Sequence, residues 1–445
     1  MEKALLNLIA GLIVGLIIGG GLVYAFAGGA AQTVTTTVTE TITSGVGATA
    51  TVTKTATTTV TVTQAASALP SEIPIGALLP LTGDLSSFGE KWKNAIMLAE
   101  QDINDYIAKM GLNVKFKFYI EDTKTSPEGA LAALQTLVAK GIKLVIGPAA
   151  SSEVAAVKSY ADANKIVIFS PSSTAPNLAI AEDYIFRNVV TDIYQGRALA
   201  KLMWVSGVRK VVAIYRGNDW GVGLFEVAKK RFEELGGEMV GVKYDPAATE
   251  LSAEVRKASS LVEQFGVSDD VGVLLISYED DGMNVLTLAA NDPVLSQVKW
   301  FGADGITYST KIAEQIGDIM VKLNVMSTLM VPPESPKKTE FMERYKSEFG
   351  VEPDTYTLNI YDIAWIYALA VLQSEKYDGE AIAKILPGVA EKYFGVSGWT
   401  KLDEVGDRLP TDYTIAKVVE EDGKYVWTDV GRYIPATDTI QWLSS

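Results

Sequence analysis

The 445-residue chain contains no histidine and no cysteine. Without cysteine there is no disulfide framework, no thiolate nucleophile, no cysteine-based zinc cluster and no lipobox cysteine to carry a lipid anchor. Without histidine, a Ser-His-Asp triad, an HExxH zinc site and a facial-triad iron site are excluded. Positive charge is also scarce: 39 Lys and Arg stand against 54 Asp and Glu, a net charge of −15. That balance argues against a nucleic-acid partner, because phosphate binding needs a basic surface. No GxGxxG fingerprint or Walker loop appears, so no nucleotide and no other cofactor is expected. The adjacent Asp280 and Asp281 follow a strand-like run, where paired acids are usually solvated loop residues rather than an acid–base pair. The expectation is a protein that is not an enzyme and holds no metal.

Long uncharged runs are confined to the amino terminus. Residues 4–27 (ALLNLIAGLIVGLIIGGGLVYAFA) carry no charge over 24 positions, and roughly 20 suffice to cross a bilayer as a helix. A transmembrane anchor is therefore expected; a cleavable signal peptide is the competing reading, since AFAGGA offers a cleavage site. Lys3 and the free amino terminus favour a cytoplasmic start. Residues 28–70 are low-complexity, with 16 threonines among the 31 residues from Thr33 to Thr63. Val and Ala interleave them in a strand-like alternation, but few large apolar groups are present to build a core. The segment reads as an extended stalk, suited by composition to O-glycosylation. Glu2, Lys3, Glu40 and Lys54 cancel, so the whole −15 lies on residues 70–445.

That body alternates strand-like and helix-like segments. The β-rich runs include IPIGALL at 73–79, KFKFYIE, KLVIG, IVIFS, VVAIY and VGVLLIS. Amphipathic stretches lie between them; one starts at Ser126-Pro127, a Ser N-cap with Pro at the first helical position, and ends at Gly141. The pattern predicts an α/β fold with parallel sheets flanked by helices. Some 375 residues exceed one such layer set, so two lobes are expected. Open α/β sheets bind ligands beyond the carboxyl ends of their strands, so those loops are where a site is sought.

After the first run come PLTGD and SSFG with Phe88. After KLVIG comes PAASSEVAAV, where Ser151 enters a helix whose free N–H groups and positive dipole end suit an anion; a plain Ser N-cap is the alternative reading. After IVIFS comes PSSTAP with Ser172 and Thr174. RGNDWGVG places Trp220 in a glycine-flanked turn, YEDDGM supplies Tyr278, and KWFGADG supplies Asp304. Phe88 and Trp92 as core, and Asp304 as a turn former before Gly305, remain open alternatives.

PLTGDLSSFG followed by a helix ending in DIN, GIKLVIGPAASSEVAAV, FSPSSTAPNLA, DYIFRNVVTDIYQGRALA and GVSGWTKLDEVGDR together resemble the branched-chain amino acid (Leu/Ile/Val) binding proteins of ABC transporters, of the type I periplasmic-binding-protein fold. The resemblance runs from about Ile73 to the carboxyl terminus. It implies two Rossmann-like lobes joined by a three-crossover hinge, with 71–192 and 332–394 in the first lobe and 193–331 and 395–445 in the second. It further implies that Ser151 binds a ligand carboxylate and that Thr174 contacts both carboxylate and ammonium. The Ser172 carbonyl accepts from the ammonium, and Asp304 pairs with it where many relatives carry Glu. Trp220 covers the ligand after closure, Phe88 lines the side-chain pocket, and Tyr278 is a looser match.

The implied function is an extracytoplasmic solute-binding component of an ABC importer, capturing a branched-chain or related amino acid by hinge closure and delivering it to permease subunits, with the N-terminal helix as its tie to the membrane. An amide, urea, an aromatic acid or a short peptide are alternative solutes, and an extracellular sensory receptor is a further reading. The anchor, Thr-rich stalk and missing lipobox resemble archaeal surface binding proteins. A histidine-free cleft holds no group that titrates near neutrality unless one is strongly shifted, so affinity is expected to stay nearly constant from about pH 6 to 8.

Overall fold

The computed structural model describes residues 32–44, 48–60 and 69–443. No described helix is long and apolar enough to cross a membrane; the span expected at 4–27 lies outside the described residues. In the Thr-rich segment, β1 (Gln32–Ser44) and β2 (Ala48–Val60) pair antiparallel, from Gln32 opposite Val60 to Ser44 opposite Ala48. Its β-branched Thr and Val favour extended backbone, and the structure folds that backbone into a two-stranded ladder.

In the body, the apolar run at 73–79 becomes β3 (Glu72–Leu79), with Ile73, Ile75, Ala77, Leu78 and Leu79 all fully buried. Burial on both faces is what a strand inside a helix-covered parallel sheet requires. There follow α1 (Ser86–Lys109), β4 (Lys115–Asp122), α2 (Pro127–Ala139), β5 (Leu144–Ile146), α3 (Ser151–Asn164), β6 (Val167–Ser170) and β7 (Ile185–Arg187). The expected cap is present: Ser126 Oγ accepts the Gly129 N–H at 3.0 Å, with Pro127 at the first helical position. The sheet order is β4-β3-β5-β6-β7, and β3, β5, β6 and β7 run parallel.

The second lobe repeats the plan. It contains α4 (Asp192–Val205), β8 (Lys210–Arg216), α5 (Asp219–Glu234), β9 (Glu238–Tyr244), α6 (Ser252–Phe265), β10 (Val271–Ile276), α7 (Glu279–Asn291), β11 (Lys299–Gly302), α8 (Thr310–Leu323) and β12 (Met326–Met330). Its parallel part is ordered β9-β8-β10-β11-β12. The chain then returns to the first lobe through α9 (Pro336–Phe349), α10 (Thr355–Ser374) and α11 (Gly379–Lys392). Tyr367 on α10 donates its hydroxyl to the Val145 and Val167 carbonyls of the first sheet, at 3.1 and 3.0 Å. A small hairpin of β13 (Phe394–Gly395) and β14 (Gly398–Trp399) leads back to β15 (Tyr413–Glu421), β16 (Lys424–Ile434) and β17 (Thr439–Trp442).

Those last three strands depart from the all-parallel expectation, since they extend the second sheet antiparallel from β12. The β15–β16 turn holds Asp422 and Gly423 at φ 50° and 74°. An Asp-Gly pair between two strand-like runs is a hairpin signal legible in the sequence.

Each lobe has its own apolar core. Leu134, Leu137, Val154, Val157 and Ile168 pack in the first; Val212, Val273, Leu286, Trp300 and Ile312 pack in the second. The segment between β14 and β15 is tied to β7 by charge. Arg187 ends β7 fully buried and grips Asp407 with two nitrogens, the Nε–Oδ1 bond being 2.5 Å, while its Nη1 donates to the Ala175 carbonyl at 2.7 Å.

Candidate functional site

In both sheets the strand order reverses beside the first strand, between β3 and β5 in one lobe and between β8 and β10 in the other. At such a switch point adjacent loops leave in opposite directions and open a crevice. Leu85 after β3, Phe88 and Trp92 on α1, Ala149, Ala150 and Ser151 after β5, and Ser172 after β6 line one wall. Trp220 after β8, Tyr278 after β10, and Asp304 and Gly305 after β11 line the other, with Tyr356 of α10 closing the cleft. The space between them, counted out to the mouth open to solvent, is about 410 Å³.

Six of the seven residues singled out in the sequence therefore share this cleft: Phe88, Ser151, Ser172, Trp220, Tyr278 and Asp304. Thr174 stands outside its lining. The Thr174 hydroxyl donates to Asp192 Oδ2 at 2.9 Å and its carbonyl accepts the Asp192 N–H at 2.9 Å, which ties it back to the start of α4. Trp220 lies in the first turn of α5 rather than in a loop, because Asn218 caps that helix by accepting the Gly221 N–H at 2.9 Å.

Ser151 is the first residue of α3 and does not cap it; Ala150 is the capping position. The Ser151 hydroxyl instead accepts from the Ala175 N–H at 3.2 Å and from Ser173 Oγ at 3.0 Å, so it braces the loop after β6. The Ala150 N–H is taken by Glu153 Oε2 at 2.8 Å. Glu153 is fully buried and its Oε1 has no hydrogen-bond partner among the described residues. Burial pushes its carboxyl up to about 7, against hydrogen bonds that pull it down. Sequence reasoning passed over Glu153, although a Glu two residues into a Ser-started helix is half of a capping box.

Through its bond to the Ala150 N–H, an acid that burial raises to about 7 backs the cleft wall. In the folded chain it holds its proton up to about pH 7; unfolded, it releases the proton in the ordinary glutamate range. Its contribution to stability is complete below that range and is lost as pH rises through 7. Between pH 5 and 8 the wild type should lose more unfolding free energy than Glu153→Gln, by on the order of 2 kcal/mol. Denaturant titrations of both proteins at the two pH values check this, and equal losses would contradict it.

Opposite Ser151, Asp304 accepts the Tyr356 hydroxyl on Oδ2 at 2.8 Å. Its Oδ1 is buried and has no partner among the described residues. Burial raises the Asp304 carboxyl above its ordinary value. Asp192 lies close behind; burial, and then the charge of Asp304, drive its carboxyl well above the usual range, and its Oδ1 is likewise unpartnered among the described residues. Two desolvated carboxylates that repel one another favour a cation or a shared proton between them. Neither Asp192 nor Tyr356 was singled out from the sequence, because burial and cross-element contact decide their roles.

The walls are aromatic. Trp220 and Tyr278 stack with centroids 5.0 Å apart, while Phe88, Trp92 and Tyr356 form a triangle with centroids 6.1, 6.1 and 6.5 Å apart. Gly305 is required here: a Cβ would lie 2.3 Å from the Ser277 carbonyl oxygen and 2.9 Å from Trp220 Cη2. Among the described residues, no cluster of acidic side chains is placed to hold a metal ion. The cleft thus brings together a hydroxyl beside a helix N-terminus, a carboxylate with one oxygen unpartnered among the described residues, and aromatic faces.

The family model for the receptor family ligand binding region matches residues 91–421. An uncharacterized protein of Methanocaldococcus jannaschii is 34% identical over 389 residues, covering 83% of this chain and 91% of that protein. The chain belongs to the receptor ligand-binding-region family. The Leu/Ile/Val-binding protein homolog 3 of Brucella melitensis is 25% identical over 371 residues, covering 81% of this chain and 95% of the homolog. The crystal structure of a leucine binding protein, LivK, from Thermotoga maritima matches with a TM-score of 0.66 at 21% identity, over 80% of this chain and 97% of that one. The fold is that of the branched-chain amino acid binding proteins, the type I periplasmic-binding-protein fold. In this member of the receptor ligand-binding-region family, three of the five motifs that carried the resemblance, those holding Phe88, Ser151 and Ser172, contribute residues to the cleft lining.

Proposed function

We propose that the protein is the solute-binding component of an ABC importer and captures an amino acid, branched-chain or closely related, between its lobes. One observation carries this reading: Ser151 at the start of α3 and Asp304, whose Oδ1 has no partner among the described residues, line the same aromatic cleft. A zwitterion needs an anion site and a cation partner a few ångströms apart in a dehydrated space. The α3 N-terminus supplies the first and Asp304 the second. Ser172 contributes at the cleft wall, and Thr174 acts from behind it by orienting Asp192. Trp220, Tyr278 and Phe88 exclude water from the ligand.

The first lobe comprises 71–192 and 332–394 and the second 193–331 and 395–445. Ligand stabilises the closed arrangement, which the permease subunits recognise. The protein performs no catalysis. Residues 4–27 serve as a membrane anchor, or as a signal segment if cleaved, and the Thr-rich segment at 28–70 holds the binding body on the extracytoplasmic side. The Leu/Ile/Val-binding name of the Brucella relative supports the amino acid class. Mass spectrometry of small molecules released when the native protein is denatured tests the reading. A free α-amino acid is expected; a ligand with no amine would overturn it.

A further inference from the structure

We propose that Arg216 is a positioning residue that clasps the two lobes together and sets the rate at which bound ligand is released. Arg216 ends β8 in the second lobe and is buried. Its Nη1 donates to Asp281 Oδ2 at 2.8 Å, in the first turn of α7 of the same lobe. Its Nη2 donates to Asp84 Oδ2 at 2.6 Å, on the turn between β3 and α1 of the opposite lobe. The guanidinium carbon lies 4.4 Å from the centroid of the Tyr278 ring, whose other neighbour is Trp220. One side chain therefore backs the aromatic wall of the cleft and reaches across its mouth.

The two carboxylates that Arg216 binds have different surroundings. The Asp281 side chain is 8% exposed and also accepts the Tyr244 hydroxyl, so this pair belongs to the second lobe whatever the first lobe does. The Asp84 side chain is 39% exposed. Water solvates Asp84 when the lobes part, and Arg216 keeps Asp281, so opening leaves no buried charge unpaired. The Arg216–Asp84 bond accordingly adds to closure and little to the folding of either lobe. Its placement ties it to the ligand, because Leu85 follows Asp84 directly and both Leu85 and Tyr278 line the cleft. Ser87 reinforces the same edge by donating to Glu279 Oε2 at 2.6 Å, and Glu279 in turn accepts from Ser309 within the second lobe. Asn177 and Asp219 bridge the lobes a third time at 2.9 Å.

The inference rests on the proposed closure of the lobes, and its test is arranged so that ligand identity can fail separately. The chain has no cysteine, so Glu128→Cys and Glu263→Cys, one exposed position in each lobe, accept a dye pair without background. Single-molecule energy transfer is read for wild type, Asp84→Asn and Asp84→Glu, without ligand and with L-leucine as probe. Asp84→Asn is expected to lower the closed population without ligand, and Asp84→Glu to retain it. With leucine, Asp84→Asn should release the probe roughly 3- to 10-fold faster at nearly unchanged association rate. Raising salt should speed release from wild type more than from Asp84→Asn. Identical interlobe distance distributions for wild type and Asp84→Asn without ligand would overturn the clasp. Failure of leucine to bind any of the three proteins would count against the amino acid reading, while the ligand-free comparison still decides the role of Arg216.

Discussion

Replacing Asp304 with alanine is expected to abolish ligand binding while leaving the empty protein folded. A buried charge deprived of its partner costs about 3–5 kcal/mol, so affinity should fall by a factor of roughly 10² to 10³ or more. The loss is large because the ligand ammonium would be left in a desolvated cleft between aromatic rings. The stability of the unliganded variant separates this from simple damage. In the wild type Asp304 is desolvated, repels Asp192 and has one oxygen without a partner among the described residues. Removing it relieves that repulsion, and the freed Tyr356 hydroxyl sits beside the cleft. The unfolding midpoint of ligand-free Asp304→Ala should therefore match or exceed that of wild type. Calorimetric titration with thermal unfolding checks both halves, and a variant that lost stability in step with binding would argue for a structural role.

The second large effect falls outside the cleft. Asp407→Ala removes the carboxylate that Arg187 grips with two nitrogens and leaves a guanidinium fully buried. Loss of one member of a buried pair typically costs about 3–5 kcal/mol, whereas exchanging both members for apolar groups is often nearly neutral. Denaturant unfolding should show that loss for Asp407→Ala and a much smaller one for the double variant Arg187→Met with Asp407→Leu. The pair also bears on binding. Arg187 holds the Ser173 and Ala175 carbonyls, and the Ala175 N–H is the group that Ser151 accepts from. Asp407→Ala should thus weaken ligand binding as well, by loosening the loop after β6. A variant as stable as wild type would contradict the importance assigned to the pair.

Much of this was legible in the sequence, and the reason is positional. Strand-end loops sit where apolar runs stop, so the runs before Ser151, Ser172, Trp220, Tyr278 and Asp304 place those residues at one crevice once two parallel sheets are assumed. Helix caps such as Ser126-Pro127 announce themselves by local hydrogen-bonding chemistry. The direction of a side chain inside an irregular loop has no such period. Thr174 shares a loop with Ser172, yet its hydroxyl turns back to Asp192. Glu153, Asp192 and Tyr356 matter through burial and through partners far along the chain, which composition does not encode. The expectation of pH-independent affinity excepted a strongly shifted group, and a count of residue types does not reveal that burial raises Glu153 into the neutral range. The antiparallel strands at 413–442 contain an Asp-Gly turn signal that strand–helix alternation alone does not register.

Calorimetric titration of the purified protein at pH 7 with L-leucine, L-isoleucine, L-valine, L-glutamate and urea tests the central claim most directly. Saturable binding of at least one α-amino acid at one site per chain is expected, with no response to urea and no binding to Asp304→Ala. Silence across all five solutes, or binding that survives Asp304→Ala unchanged, would contradict the assignment of the cleft as an amino acid site.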